Sequence, residues 1–198
     1  MTAQTEIILV RHGETEWNLK NKLQGHKNSP LTLNGKKQAL EVKNALDCYE
    51  IHGAYVSPLK RAVDTMEIIL GDRKVQAIKS NNLKEISLGP WEGKTKEATK
   101  KSHPEEYEKF WHQQDKFLLG GAESYHQLQK RLVSELKSIF KKETSKTILV
   151  VTHWIAIKAV IAYFTSTPLR QLSTMPDLGN GEFLTLIKEG ESIEVSGL

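Results

Sequence analysis

The sequence predicts an α/β protein, a three-layer sandwich with helices on both faces of a largely parallel sheet. Three observations carry that expectation. EIILV, residues 6 to 10, is short, rich in β-branched residues and almost wholly apolar, as a strand buried on both faces requires. TILVVTHW, from residue 147, repeats the device: each strand runs straight into a histidine, His12 or His153, and the second leads directly into an apolar helix. Between them, strand-like runs alternate with stretches at helical spacing, the signature of strand–helix–strand units.

The elements follow in order. LTLNGKKQALEVKNALD, residues 31 to 47, has helical spacing in Leu33, Ala39, Leu40 and Leu46, with Thr32 placed to cap it. GAYVSPLKRAVDTMEIIL, from residue 53, reads as a short strand, Ser57 as the cap, Pro58 at the first helical position, and a helix. VQAIKS is a further strand, and GEFLTLIKEGESIEV a hairpin around Glu189 and Gly190. About residues 86 to 125 are richer in charge, aromatics and glycine, and read as an inserted flap rather than as sheet.

At 198 residues the chain is most simply one domain, residues 1–198, with that flap inserted. Apolar residues make up 38% and charged residues 26%, a globular balance. The net charge of +4 is too small to select a nucleic acid or a membrane as partner. The lysine clusters GKK, KKSH and FKKETSK carry no interleaved aromatics and read as solvated helix faces. Cys48, the only cysteine, allows no internal disulfide and reads as an inert small hydrophobe at a helix end. WIAIKAVIAYF is too short for a membrane span and is broken by Lys158. With no signal-peptide pattern at the N-terminus, the expectation is a cytoplasmic protein without membrane attachment.

In open α/β sheets ligands bind at the carboxyl ends of the strands. The first strand ends on Arg11 and His12, the second leads into a helix whose first turn carries Arg61, and the late strand ends on His153. Glu85 follows another strand closely. Arginines grip phosphate in a bidentate manner and disfavour protonation of a neighbouring histidine. A neutral imidazole attacks phosphorus, and a carboxyl group beside a bound phosphate retains a proton to give to a leaving alkoxide. The set suits phosphoryl transfer through a phosphohistidine. A zinc site of His12, His26 and His153 is the competing reading. Arg11 and Arg61 would repel that cation, so neither metal nor cofactor is expected.

These residues bring a family into view. LVRHGETEWN resembles the signature of the histidine phosphatase superfamily, the phosphoglycerate-mutase-like group. NKLQGHKNSPLTLNGKKQA, VSPLKRAVDTMEII, LKEISLGPWEG, GGAESYHQLQKRL and VVTHWIAIKAVI resemble its further motifs, in the family's order and over almost the whole chain. The resemblance implies a phosphoglycerate-mutase-like sandwich, His12 as the phosphorylated nucleophile, Arg11, Arg61 and His153 as holders of the phosphoryl oxygens, and Glu85 as proton donor and later base. It also implies phosphate or substrate contacts at Asn18, Gln24 and Gly25, although Asn18 would equally cap a turn. Gly13 is read as supplying the turn after the strand.

LQGHKNSPLT and the short stretch after Glu85 look like the phosphatase branch, acting on small phosphorylated metabolites. A mutase and a non-catalytic phosphate binder are the alternatives. Trp154 stands where the family usually has glycine, and either narrows the pocket or points into the core. Ala122 lengthens the usual Gly-Glu-Ser turn. The flap carries Trp91, Tyr107, Phe110, Trp111 and Phe117, whose helical spacing, as in Tyr107 and Trp111, favours the core; if one or two face the cleft instead, they suit an aromatic or acyl alcohol as leaving group. The oligomeric state is not legible.

Overall fold

The computed structural model describes residues 4–197. Six strands form one sheet: β1 (Thr5–Arg11), β2 (Gly53–Val56), β3 (Ala77–Lys79), β4 (Thr147–Thr152), β5 (Phe183–Glu189) and β6 (Ser192–Ser196), in the order β3-β2-β4-β1-β5-β6. The first four strands of that order run parallel, and β5 and β6 add an antiparallel edge through the hairpin expected at Glu189 and Gly190.

Alternation along β1 divides the core. Ile7 and Leu9 pack to one side with Ile148 and Val150 of β4, under α6 (Tyr125–Lys142) and α7 (Trp154–Phe164). Ile8 and Val10 pack to the other with Leu149 and Val151, under α2 (Leu33–Ala45) and α3 (Lys60–Leu70). A parallel sheet buried on both faces needs this apolar run, and the three layers follow from it.

Between β3 and α6 lie three 3-10 turns and two helices, α4 (Lys96–Ser102) and α5 (Pro104–His112). Trp91, Phe110 and Phe117 are buried there with ring centroids 5.0 to 5.7 Å apart. Replacing Trp91 by Ala is therefore expected to cost about 3–5 kcal/mol of stability in chemical denaturation. Helix α7, apolar all round, is sunk among its neighbours; no helix among the described residues is long and apolar enough to cross a membrane.

Several local expectations are corrected. Helix α2 is capped by Thr32, whose hydroxyl accepts from the Gly35 amide, but it buries Gly35, Ala39 and Val42, with Leu46 just beyond. Leu33 and Leu40 instead stand 86% and 48% exposed. The reason is a close approach: a Cβ on Gly35 would meet the Glu14 carbonyl oxygen at 2.1 Å, and one on Gly13 the Gly35 carbonyl at 2.3 Å. That contact turns the helix. It also explains Gly13, whose φ is not positive: the absence of a Cβ matters there, rather than a special turn angle. Cys48 is exposed in the turn after α2 and is no core hydrophobe. Helix α3 begins only at Lys60, two residues after Pro58, with no side-chain cap; Ser57 is used elsewhere.

Candidate active site

Strands β1 and β4 pair in parallel with Arg11 opposite Thr152, so the residues one step beyond, His12 and His153, meet at the carboxyl end of the sheet. Their ring centroids lie 5.1 Å apart, edge to face. A cleft of about 360 Å³ opens here, lined by Arg11, His12, Asn18, Gln24, Gly25, Arg61, Glu85 and Trp154 among others. His153 itself does not line it: it is fully buried against His12.

The partners of His12 fix its protonation. Nδ1 lies 2.8 Å from the Gly13 carbonyl, which only accepts, so Nδ1 carries the hydrogen. Nε2 receives the Nε–H of Arg61 at 3.2 Å, and a guanidinium only donates, so Nε2 carries the lone pair. Burial, with the charges of Arg61 and Arg11, holds the pKa of His12 well below its ordinary value. His153 is depressed likewise, first by burial and then by Arg61. Its Nε2 meets the Ser57 hydroxyl at 2.7 Å, and its Nδ1 is buried without a partner. Ser57 Oγ also accepts from the Leu59 amide at 3.4 Å, in the turn ahead of α3, but it does not cap the helix.

Arg61, 1% exposed, also donates one N–H from each terminal nitrogen to the carbonyls of Gly25 and Lys27, at 2.8 and 2.7 Å. Burial lowers its pKa to about 10, which leaves it charged at neutral pH. It thus locks the 24–27 loop to the cleft floor. Gly25 contributes its carbonyl and a φ of +51° that suits glycine. Arg11 binds the Leu178 carbonyl at 2.6 Å and Asn180 Oδ1 at 3.1 Å, leaving its buried Nε unpaired.

Glu85 sits over the N-terminus of α7. Its carboxylate accepts from the amides of Ile86, Ala156 and Ile155 at 2.9, 3.1 and 3.2 Å. Burial nonetheless raises its pKa, against those amides and Arg61. Its segment is clamped from behind by Arg131, which donates to the carbonyls of Asn82, Lys84 and Glu85 and pairs with both oxygens of Glu123 at 2.7 Å. Glu123 lies in the AES turn that the sequence marked.

Asn18 caps its turn as one sequence reading expected, its Oδ1 closing the capping box with Thr15 on α1 (Glu16–Leu19), and the residue also lines the cleft. Gln24 lines it too, its amide nitrogen on Thr15 and its Oε1 unpaired. His26 Nε2 lies 2.8 Å from the Glu85 carbonyl, and among the described residues no group of three His, Cys, Asp or Glu side chains is placed to hold a metal ion. Trp154 points into the cleft wall, half-buried, with its Nε1 on Asp177 at 2.9 Å and the Arg11 guanidinium 5.5 Å from its ring; it narrows the pocket and does not fill the core.

Lys22, Lys96 and Asp177 also line the cleft and were not foreseen from the sequence. The segment 177–180 straps the floor, since Asn180 donates to the His12 carbonyl at 3.0 Å. The PDLGNG turn residues before the last hairpin were its only signal.

Basic side chains and a buried neutral imidazole at the carboxyl end of a parallel sheet define the class, a phosphoryl-transfer protein of the α/β sandwich type. The family follows: the chain belongs to the histidine phosphatase superfamily (branch 1), whose model matches residues 7–196. The metal-independent phosphoserine phosphatase of Arabidopsis thaliana is 37% identical over 164 residues, covering 81% of this chain and 69% of that protein. Bacillus stearothermophilus YhfR superposes with a TM-score of 0.95 at 32% identity, covering 96% of this chain and 95% of its own. The Entamoeba histolytica phosphoserine phosphatase, solved with phosphoserine, superposes at 0.86 with 32% identity, covering 98% of this chain and 95% of its own.

Proposed function

We propose that this chain, acting as one catalytic unit with its 86–125 flap, is a phosphatase that hydrolyses small phosphomonoesters through a phosphohistidine on His12. The observation that carries the reading is the tautomer of His12: neutral, with its lone pair at Nε2 on the cleft floor. In the first step Nε2 attacks phosphorus and the P–O bond to the alcohol breaks. Glu85, whose pKa burial raises, gives a proton to the leaving alkoxide. In the second step Glu85 takes a proton from water, the oxygen attacks phosphorus, the P–N bond breaks, and orthophosphate leaves. Arg61 turns its Nε–H from His12 to a phosphoryl oxygen when substrate enters, freeing the lone pair. The unpaired Arg11 Nε–H supplies one more donor, and a phosphoryl group carried on His12 brings an oxygen toward the buried, unpaired Nδ1 of the neighbouring His153. Asn18, Gln24 and Trp154 shape the space around the phosphate and the alcohol.

Phosphoserine phosphatases among the relatives make phosphoserine the first substrate to test. Enzyme mixed with it and quenched in base is expected to retain an acid-labile phosphoryl group, with orthophosphate as product. Turnover without a trapped phosphoprotein overturns the reading, and interconversion of 3- and 2-phosphoglycerate faster than orthophosphate release assigns a mutase instead.

Ser57 orients His153. If its hydroxyl donates to Nε2, the hydrogen of His153 stands on Nδ1, ready for a phosphoryl oxygen. Ser57→Ala is expected to lower kcat about tenfold, the worth of roughly one buried hydrogen bond, with little change in KM for phosphoserine.

A further inference from the structure

The cleft does not end at the phosphoryl pocket. A second cavity of about 460 Å³ adjoins it, and Lys96, Trp111, Trp154, Ile155 and Asp177 line both. Trp111 and Trp154, with ring centroids 5.8 Å apart, form the waist between them. Phosphoserine has a short alcohol part, and is expected to engage the first cavity without filling the second.

Two residues that line the second cavity carry buried hydrogen-bonding atoms with no partner among the described residues. Gln114 is 4% exposed; its amide nitrogen donates to the Trp111 carbonyl at 2.6 Å, which fixes the amide and leaves Oε1 unpaired. The Trp111 indole nitrogen is buried and unpaired as well. Buried donors and acceptors in native proteins are almost always partnered, so an orphaned donor and acceptor on two residues lining one cavity point to a ligand that draws them out. The charge is one-sided too. Asp177, the only carboxylate on this wall among the described residues, is taken by Lys158 at 2.6 Å. Lys96 lies 5.0 Å above the Trp111 ring and Lys100 stands exposed on the rim, neither in an ion pair among the described residues.

We propose that the second cavity is a distal subsite for the alcohol part of the substrate, which selects extended phosphomonoesters ending in a second anionic group, a carboxylate or a phosphate. Lys96 and Lys100 receive the charge, the Trp111 N–H donates to it, and Gln114 Oε1 accepts from an N–H or O–H on the connecting chain. This rests on the phosphatase reading and deepens it.

The test compares esters matched in length: hexyl phosphate, its 6-carboxylate analogue and 1,6-hexanediol bisphosphate, with phosphoserine and 4-nitrophenyl phosphate as short controls. One of the two dianionic-ended esters is expected to exceed hexyl phosphate about tenfold in kcat/KM, as one hydrogen bond to a charged group supplies, and the better of the two names the anion. Lys100→Glu, an exposed change, is expected to remove most of that preference while leaving phosphoserine turnover as it was. Equal use of hexyl phosphate and both anionic esters overturns the subsite, as does a preference that survives Lys100→Glu. Failure of the controls as well strikes the phosphatase reading itself.

Discussion

Substitution of His12 by Ala is expected to lower kcat for phosphoserine by about 10⁵ to 10⁶-fold, the scale seen when a covalent nucleophile is removed from a preorganised site. No neighbour can take over. His153 has its Nε2 committed to Ser57 and is wholly buried, and Glu85 is held by three backbone amides. The base-stable phosphoprotein is expected to vanish with the activity. Thermal unfolding separates this from collapse, because Arg61 remains anchored on the Gly25 and Lys27 carbonyls without the imidazole. Residual activity within tenfold of the parent removes His12 from its role.

How much of this was legible depends on what each feature needed. Arg11, His12 and His153 were readable because two apolar runs ended on them, and any largely parallel sheet brings such ends to one side. Arg61 followed from its place in the first turn after a third strand. The role of Ser57 was not readable: a serine before a helix is a capping signal, and only the position of β4 beside β2 turns it toward His153 instead. The exposed Leu33 was misplaced for a similar reason. Its spacing suits a buried face, but the Gly13–Gly35 contact sets the rotation of α2, and that contact joins two elements. The unpaired groups of the second cavity leave no trace in composition or period, since an orphaned donor is a property of what surrounds it.

Glu85→Gln separates the two halves of the reaction. An amide keeps the size of the side chain but neither gives a proton to an alkoxide nor takes one from water. For an alkyl ester such as phosphoserine, kcat is expected to fall by about 10² to 10⁴-fold, the range for general acid–base groups. A nitrophenolate leaves without a proton, so with 4-nitrophenyl phosphate the first step survives and only hydrolysis of the phosphohistidine is slowed. A burst of nitrophenol and an accumulated phosphoprotein are then expected. The pH profile gives a second reading. Burial raises the Glu85 pKa and, with the two arginines, lowers that of His12, so the active form holds a proton on Glu85 and none on His12 Nε2. As pH rises through the elevated Glu85 pKa the proton is lost, and kcat/KM for phosphoserine is expected to decline on the alkaline side; with glutamine in place that limb disappears. Equal losses on alkyl and aryl esters, with an unchanged alkaline limb, would show that the proton comes from another group, and would leave Glu85 as a brace for the amides of α7.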